Sequence, residues 1–168
     1  MKKTILVTGG AGFVGSNLIK KIINDTSYNV KKNIFCAFHF GEFARIYQSF
    51  FLTNQCFRSN LAGTFEVIRF CKNNKIRFIY SATSAALGNK GKDADLSPYA
   101  FSKSSNIQLL NNFKKWFNFK FDIIYFYNVY GFDQITKGFM ATVIGIFENQ
   151  YKKKVPLTIV RPGTQKRL

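Results

Sequence analysis

The stretch from position 4 to position 23 reads as a strand, a glycine-rich turn and a helix in direct succession. The β-favouring run Thr4-Ile5-Leu6-Val7 leads into Thr8-Gly9-Gly10-Ala11-Gly12-Phe13-Val14-Gly15, and helix-forming residues follow from Ser16. Glycines let a backbone approach a phosphate, and the first turn of a helix offers unpaired N–H groups and the positive end of the helix dipole. In this context the turn predicts a dinucleotide-binding α/β fold, which a bare glycine pattern would not.

The rest of the chain continues the alternation of strand-like and helix-like segments. Its 168 residues, 46% of them hydrophobic, are enough to bury a core. Alternation of this kind is typical of a parallel sheet with helices packed on it. We therefore expect one Rossmann-like domain over residues 1–168, a doubly wound parallel sheet of the α/β class. Strands are predicted near 3–8, 33–39, 76–81, 121–126 and 156–160, and further helices at 59–73, 98–117 and 138–151.

Charge and cysteine content narrow the function classes. The net charge of +17 raises the hypothesis of a nucleic-acid binder, but the lysines fall in short groups at the ends of predicted elements, which favours a solvated surface. The three cysteines form no CxxC or Cys/His pattern, which indicates buried thiols, so no metal site is expected. The apolar run after Met1-Lys2-Lys3 is too short for export, and no membrane span is recognisable, so we expect a cytoplasmic protein.

Two further patterns lie downstream. Tyr99 and Lys103 stand one helical turn apart at the start of the helix predicted at 98–117. A lysine ammonium near a phenol stabilises the phenolate, so the pKa of the tyrosine could fall toward neutrality and the group could exchange a proton with a sugar hydroxyl. Upstream, a predicted strand ends in small hydroxyl residues, Thr83 among them, where ligands of open α/β sheets bind.

Together, the glycine turn, the strand-end hydroxyls and Tyr-x-x-x-Lys resemble the extended short-chain dehydrogenase/reductase family, in particular its NAD-dependent nucleotide-sugar epimerases and dehydratases. The resemblance implies NAD as cofactor and a nucleotide sugar as substrate. It implies that Thr83 hydrogen-bonds the reacting oxygen, that Tyr99 is the acid and base, and that Lys103 contacts the nicotinamide ribose.

The resemblance extends to other segments of the chain. The strand-end segment Phe38 to Glu42, the Asn60 and Gly63-Thr64 pattern and the segment Phe126 to Gly131 all have counterparts in the family. The implied cofactor contacts are Gly9, Gly12, Phe13, Val14, Gly15, Phe40, Gly41, Glu42, Asn60, Tyr99, Lys103 and Tyr127. Thr83 and Asn128 are the implied substrate contacts, and we interpret His39 as a packed strand-end histidine.

The strand-end motif also bears on the reaction. Dehydratases of the family resemble one another in carrying Thr-Asp-Glu there, whereas this chain has Thr83, Ser84 and Ala85. Without those carboxylates, hydride removal and return remain, as in a UDP-glucose 4-epimerase. A dehydratase or reductase of the same family, and a catalytically inactive NAD-binding remnant, stay open as alternatives.

Two departures from the family pattern concern completeness. The interval from Gly15 to His39 is too short for the family's second strand, helix and third strand, so strands 2 and 3 are expected to be missing. The acidic residue expected about 20 residues after the glycine turn is missing with them. We therefore expect weaker binding of the adenosine end of the cofactor, and the sequence does not distinguish NAD from NADP as the cofactor. From Val160 the chain resembles the entry to the sugar-binding half, so the C-terminal substrate lobe is expected to be absent.

A subunit interface is a further expectation. Family members resemble dimers built through the Tyr-x-x-x-Lys helix and the helix before it, which predicts a homodimer. Seven apolar side chains of that helix serve either the core or the interface, namely Phe101, Ile107, Leu109, Leu110, Phe113, Trp116 and Phe117.

Overall fold

The computed structural model describes residues 4–25, 34–84, 93–138 and 141–159, and the chain divides into two compact units, Met1–Tyr127 and Asn128–Leu168. The first unit contains, in chain order, β1 (Thr4–Thr8), α1 (Phe13–Asp25), β2 (Ile34–His39), α2 (Ile46–Phe51), α3 (Thr53–Phe57), a π-helical turn (Arg58–Gly63), α4 (Thr64–Asn73), β3 (Arg77–Thr83), α5 (Pro98–Phe117) and β4 (Phe121–Phe126). The second unit contains α6 (Val143–Lys152).

The four strands form one parallel sheet in the order β1-β2-β3-β4. With its flanking helices, this sheet confirms the predicted Rossmann-like α/β class. In the doubly wound order 3-2-1-4-5-6, strand 1 lies beside strand 4. The direct pairing of β1 with β2 is therefore the arrangement expected when the second and third strands of the fold are missing. Within the described residues, β1 is an edge strand.

The hydrophobic core lies between one face of the sheet and two helices. Phe78, Tyr80 and Ala82 alternate along β3, so that their side chains share one face, and none is more than 3% exposed. They pack with Ala37 of β2 and with buried side chains of α4 and α5, namely Ile68, Cys71, Leu110 and Phe113. This packing fixes α5 against the carboxyl-terminal half of β3, where the candidate site lies.

The helix α5 begins and ends as its sequence predicts. The Ser97 side chain accepts a hydrogen bond from the Ala100 amide at 3.0 Å, and Pro98 occupies the first helical position, where a missing N–H costs nothing. At the other end Asn118 adopts the left-handed conformation with φ 50° and closes the last turn. The cap at Ser97 thus sets the position of Tyr99 and Lys103 in the first two turns.

The structure differs from the sequence prediction at two places. Residues 155–159 form no strand, because the Thr158 amide donates to the Gln150 side chain at 3.2 Å instead of to a neighbouring strand. This segment and α6 line an open apolar groove of about 710 Å³. The second difference is the presence of helices α2 and α3, because the sequence predicts no element in that segment. No helix in the described part of the chain is long and apolar enough to span a bilayer.

Candidate active site

The glycine turn brings two loops of the sheet edge into direct backbone contact. Gly9 has φ 71°, and a Cβ atom there would lie 2.7 Å from the Gly41 amide nitrogen. A Cβ atom on Gly15 would lie 2.3 Å from the Gly9 carbonyl oxygen. Both positions therefore require glycine, the first for the turn and the second for the close approach of α1.

The same turn fits a dinucleotide pyrophosphate. Gly9 and Gly12 are exposed, and Phe13 and Val14 open α1, whose first amides have no helical partner. On the neighbouring loop, the Gly41 amide donates to the Thr8 hydroxyl at 3.0 Å. The predicted contacts thus lie close to the carboxyl ends of β1 and β2. Gly9 and Gly12 lie in the turn after β1, Phe13, Val14 and Gly15 in the first turn of α1, and Phe40 and Gly41 in the adjoining loop after β2.

Thr83 and Tyr99 meet at the end of β3. The Thr83 hydroxyl hydrogen-bonds the Tyr99 phenol, and the Tyr99 amide donates to Ser49 Oγ of α2 at 3.2 Å. Burial raises the pKa of Tyr99, and the charge of Glu42 adds to the rise, while the Thr83 bond and the charge of Arg45 oppose it. The sequence predicts the opposite direction, a pKa lowered by the lysine one turn away.

The largest cause of this difference is the burial of the phenol, and Lys103 has a charged partner of its own. Its ammonium forms an ion pair with Glu42, and the two side chains are only 5% and 2% exposed. The same ammonium donates to the Ser81 carbonyl oxygen at 2.6 Å and lies 5.0 Å from the centre of the Tyr80 ring. Burial lowers the pKa of Lys103, and the Glu42 charge opposes this effect.

Glu42 has further partners in the same buried region. Its Oε1 atom accepts from the Thr64 hydroxyl at 3.0 Å and from the Tyr80 hydroxyl at 3.2 Å. Its Oε2 atom lies 3.1 Å from Ser81 Oγ. The Glu42 side chain is thus fully engaged within the protein, so a cofactor contact at Glu42, which remains a prediction, would have to use the backbone.

His39 continues this network toward the glycine turn. Its Nδ1 atom lies 2.7 Å from Thr8 Oγ1, and its Nε2 atom lies 2.9 Å from Thr64 Oγ1. The side chain is buried, as a packed strand-end histidine would be, and burial lowers the pKa of the imidazole. The neutral ring therefore joins β1, β2 and α4.

Asn60, in the π-helical turn, holds the loop that carries Glu42. Its side-chain oxygen accepts from the Phe43 amide at 2.7 Å, and its side-chain nitrogen donates to the Phe43 carbonyl and to Ser102 Oγ, both at 3.0 Å. The side chain is fully buried. The cofactor contact at Asn60 stays a prediction, since the contacts present are internal.

The last two predicted site residues follow β4. Tyr127 is 60% exposed at the end of the first unit, and Asn128 is the first residue of the second. Their contacts with cofactor and sugar nucleotide remain predictions. The segment from Val160, which resembles the start of the family's sugar-binding half, lies outside the described residues.

Three residues of this region escape the sequence prediction. Ser81 supplies a carbonyl to Lys103, Ser49 holds the amide of Tyr99, and Arg45 places a positive charge near the phenol. Ser81 carries a detectable signal, because it belongs to the hydroxyl-rich strand end. Ser49 and Arg45 belong to α2 and the residue before it, where no element is predicted.

The sequence model described as the NAD dependent epimerase/dehydratase family matches residues 30–167, most of the chain. The chain belongs to this family. NAD, the cofactor predicted from the sequence, is therefore the cofactor of its family. The glycine turn precedes the matched range and extends the family likeness to the first strand.

Two curated relatives illustrate the extent of the match. An uncharacterized UDP-glucose epimerase of Bacillus subtilis is 25% identical over 215 residues, covering 97% of this chain and 67% of the relative. An ADP-L-glycero-D-manno-heptose-6-epimerase of Brachyspira hyodysenteriae is 27% identical and covers 88% of this chain and 61% of the relative. The chain thus spans about 61 to 67% of the length of these relatives. The first alignment is longer than the 168-residue chain, so this chain has internal gaps against it.

Solved structures show the same fold. The UDP-glucuronic acid 4-epimerase of Bacillus cereus, in complex with UDP-glucuronic acid and NAD, matches with a TM-score of 0.81 at 23% identity, over 97% of this chain and 67% of that one. The UDP-glucose 4-epimerase of Thermus thermophilus, in complex with NAD, matches with a TM-score of 0.75 at 22% identity, over 93% of this chain and 65% of that one.

Proposed function

We propose that the chain is an NAD-dependent nucleotide-sugar epimerase that acts by hydride removal and return, as a UDP-glucose 4-epimerase does. The observation that carries this proposal is the hydrogen bond between Thr83 and Tyr99 at the carboxyl end of β3, on the strand next to the loops that fit a pyrophosphate. A strand-end hydroxyl joined to a phenol is the pair that proton exchange with a sugar hydroxyl requires.

In this mechanism the side chains of the chain bind, orient and move a proton. Tyr99 takes the proton of the sugar hydroxyl and later returns it, while Thr83 hydrogen-bonds the same oxygen and the phenol. Lys103 holds the nicotinamide ribose, and the turn from Gly9 to Gly15 holds the pyrophosphate. The chemistry that NAD would supply when bound is removal of a hydride from the sugar carbon and its return to the opposite face of the sugar.

The residues after Thr83 support epimerisation over dehydration. Removal of water needs an additional acid and base, and the two following residues, Ser84 and Ala85, are not carboxylates. The named relatives in Bacillus subtilis and Brachyspira hyodysenteriae are both epimerases. A nucleotide-sugar dehydratase or reductase of the same family is therefore the less favoured reaction.

A non-catalytic remnant that binds NAD is the second candidate. It is favoured by the direct pairing of β1 with β2, because the acidic residue that would hold the adenosine ribose belongs to a missing strand. Each lost charge-assisted hydrogen bond is worth about 1.5–3 kcal/mol, so we expect NAD to bind at least about tenfold more weakly than to a complete family member. Calorimetric titration of the purified chain with NAD tests this, and binding as tight as in a complete epimerase would contradict it.

A Tyr99→Phe variant separates the two candidates. If Tyr99 is the acid and base, turnover of UDP-glucose to UDP-galactose in the presence of added NAD should fall by about 10²–10⁴-fold, while NAD binding is unchanged. Tyr47→Phe is the matched control, since Tyr47 is 71% exposed on α2. Equal turnover in the parent chain and the Tyr99→Phe variant would contradict the role of Tyr99 as acid and base. No turnover by the parent on any sugar nucleotide would favour the remnant.

A further inference from the structure

The buried carboxylate of Glu42 is surrounded by donors from three elements of the fold. Thr64 of α4 and Tyr80 of β3 donate to its Oε1 atom, and Lys103 of α5 donates to its Oε2 atom. Ser81 Oγ has a single proton, and its nearer acceptor is the His39 carbonyl at 2.7 Å, so it contributes less to Glu42. An ionised carboxylate accepts about four such bonds, so this site nearly saturates it.

The hydrogen bonds from the glycine turn to Glu42 all run in one direction. Because the Thr64 hydroxyl donates its only proton to Glu42, it must accept from His39 Nε2. His39 Nδ1 is then an acceptor, and the Thr8 hydroxyl donates to it. Thr8 in turn accepts from the Gly41 amide. The neutral imidazole is therefore fixed in its Nε2–H form, and the carboxylate ends a chain of donors.

We propose that Glu42 is a positioning residue of the candidate active site, which holds the Lys103 ammonium beneath the carboxyl end of β3. The inference rests on the proposed function and deepens it. A carboxylate fixed by Thr64 and Tyr80 gives Lys103 one defined place. Two of the three ammonium protons are used by Glu42 and the Ser81 carbonyl, and the third is directed to Ser81 Oγ at 3.4 Å. This last contact is the longest of the three, so it is the one that a ribose hydroxyl would replace.

The proposal has a consequence for Tyr99. The charged and titratable groups that act on the phenol are Glu42 and Arg45 from the loop after β2 and Cys56 from α3. Among them the Glu42 carboxylate raises the pKa of Tyr99, and the Arg45 guanidinium lowers it. With the Lys103 ammonium paired to Glu42, burial and the Glu42 charge together raise the pKa of Tyr99.

The test is a Glu42→Gln variant, which removes the charge and keeps the shape. Ultraviolet difference absorbance between each protein and its Tyr99→Phe counterpart isolates the phenolate of Tyr99. We expect the ionisation constant of Tyr99 to rise about tenfold in Glu42→Gln, because a nearby negative charge is lost. Glu66→Gln is the matched control, since Glu66 is 56% exposed and pairs with Arg69 on the surface. An unchanged Tyr99 titration in folded Glu42→Gln would overturn the proposal.

A single substitution leaves a buried ammonium without its partner and could prevent folding. The double variant Glu42→Gln/Lys103→Met addresses this case. If Glu42 serves to hold Lys103, the double variant should regain the thermal unfolding midpoint that the single variant loses. A double variant as unstable as Glu42→Gln would overturn the proposal. Titration with NAD is independent of the Tyr99 absorbance and of the thermal unfolding midpoint. A parent chain that binds no NAD refutes the proposed function, while the Tyr99 titration still decides the role of Glu42.

Discussion

Gly9 and Gly138 share a positive φ, at 71° and 77°, but differ in what surrounds them. A Cβ atom on Gly138 meets nothing within 4 Å, whereas one on Gly9 would lie 2.7 Å from backbone atoms of Phe40 and Gly41. The two positions therefore separate the cost of backbone conformation from the cost of a collision between loops.

We expect Gly138→Ala to lower the free energy of unfolding by about 1 kcal/mol and Gly9→Ala by about 3 kcal/mol or more, because only the second must displace backbone. Urea unfolding of both variants measures the difference. Gly9→Ala should also abolish NAD binding. Equal losses of stability would show that the loops separate freely.

Cys71 gives a residue-scale prediction for alkaline pH. The side chain is fully buried in α4, and burial raises the pKa of the thiol from 9.0 to about 11. Between these values the unfolded chain has released a proton that the folded chain keeps, so stability is lost as the pH rises. Cys71→Val removes this contribution, which is on the order of 2 kcal/mol.

Urea unfolding of the parent and the Cys71→Val variant at pH 7 and near pH 11 measures the effect. The difference at pH 7 is the cost of altered packing, and the difference in slope with pH is the contribution of the thiol. We expect the variant to lose less stability at high pH than the parent. Parallel losses would show that the thiol ionises as readily in the folded chain as in the unfolded one.

Helix α5 is the element that carries the candidate chemistry, and its first turn depends on the Ser97 cap. Loss of an N-cap costs about 1 kcal/mol, and Ser97→Ala should lower the free energy of unfolding by that amount. Ser97→Asp is the matched control, because aspartate caps equally well. A loss of activity in Ser97→Ala at temperatures where the protein stays folded would show that the cap also positions Tyr99.

The elements that the sequence predicts are those with strong local signals. Ser97-Pro98 and the following apolar pattern suffice for α5, and the β-branched run before the glycines suffices for β1. Helices α2 and α3 lack such signals. The exposed aromatic side chains of Tyr47 and Phe51 blur the apolar face that would reveal a helix.

The sequence predicts which residues belong to the candidate site better than it predicts the contacts between them. Local spacing is enough to bring Tyr99 and Lys103 onto one helical face. The pairing of Lys103 with Glu42 depends on the order of strands, which places the loop after β2 beside β3. No local pattern shows this pairing or the burial of the phenol, which is the largest cause of the raised pKa of Tyr99, so the direction of that pKa could not be obtained from the sequence.

On the scale of the whole molecule, the predicted interface residues of α5 divide into two sets. Leu110 and Phe113 are core residues, and Ile107 and Leu109 pack against the core. Phe101, Trp116 and Phe117 are 45%, 61% and 50% exposed. Exposed large apolar side chains also occur on other elements, for example Tyr47 and Phe51 on α2, so exposure alone does not single out α5 as an interface. The homodimer therefore remains a prediction, now restricted to the exposed set.

Sedimentation velocity tests the predicted dimer. We expect the parent chain to sediment as a dimer and Phe101→Lys as a monomer, because a charge would be buried in the interface. Phe132→Lys is the control, since Phe132 is 92% exposed in the second unit. A parent chain that sediments as a monomer at all concentrations would contradict the prediction.

The spatial order of the four strands equals their order in the chain. In the doubly wound order, strand 1 is flanked on both sides, and the sheet grows in two opposite directions from it. Here every new strand is added at the edge that the previous strand has just formed. A chain leaving the ribosome from its N-terminus can therefore assemble this sheet one strand at a time, with each pairing waiting only for the crossover before it.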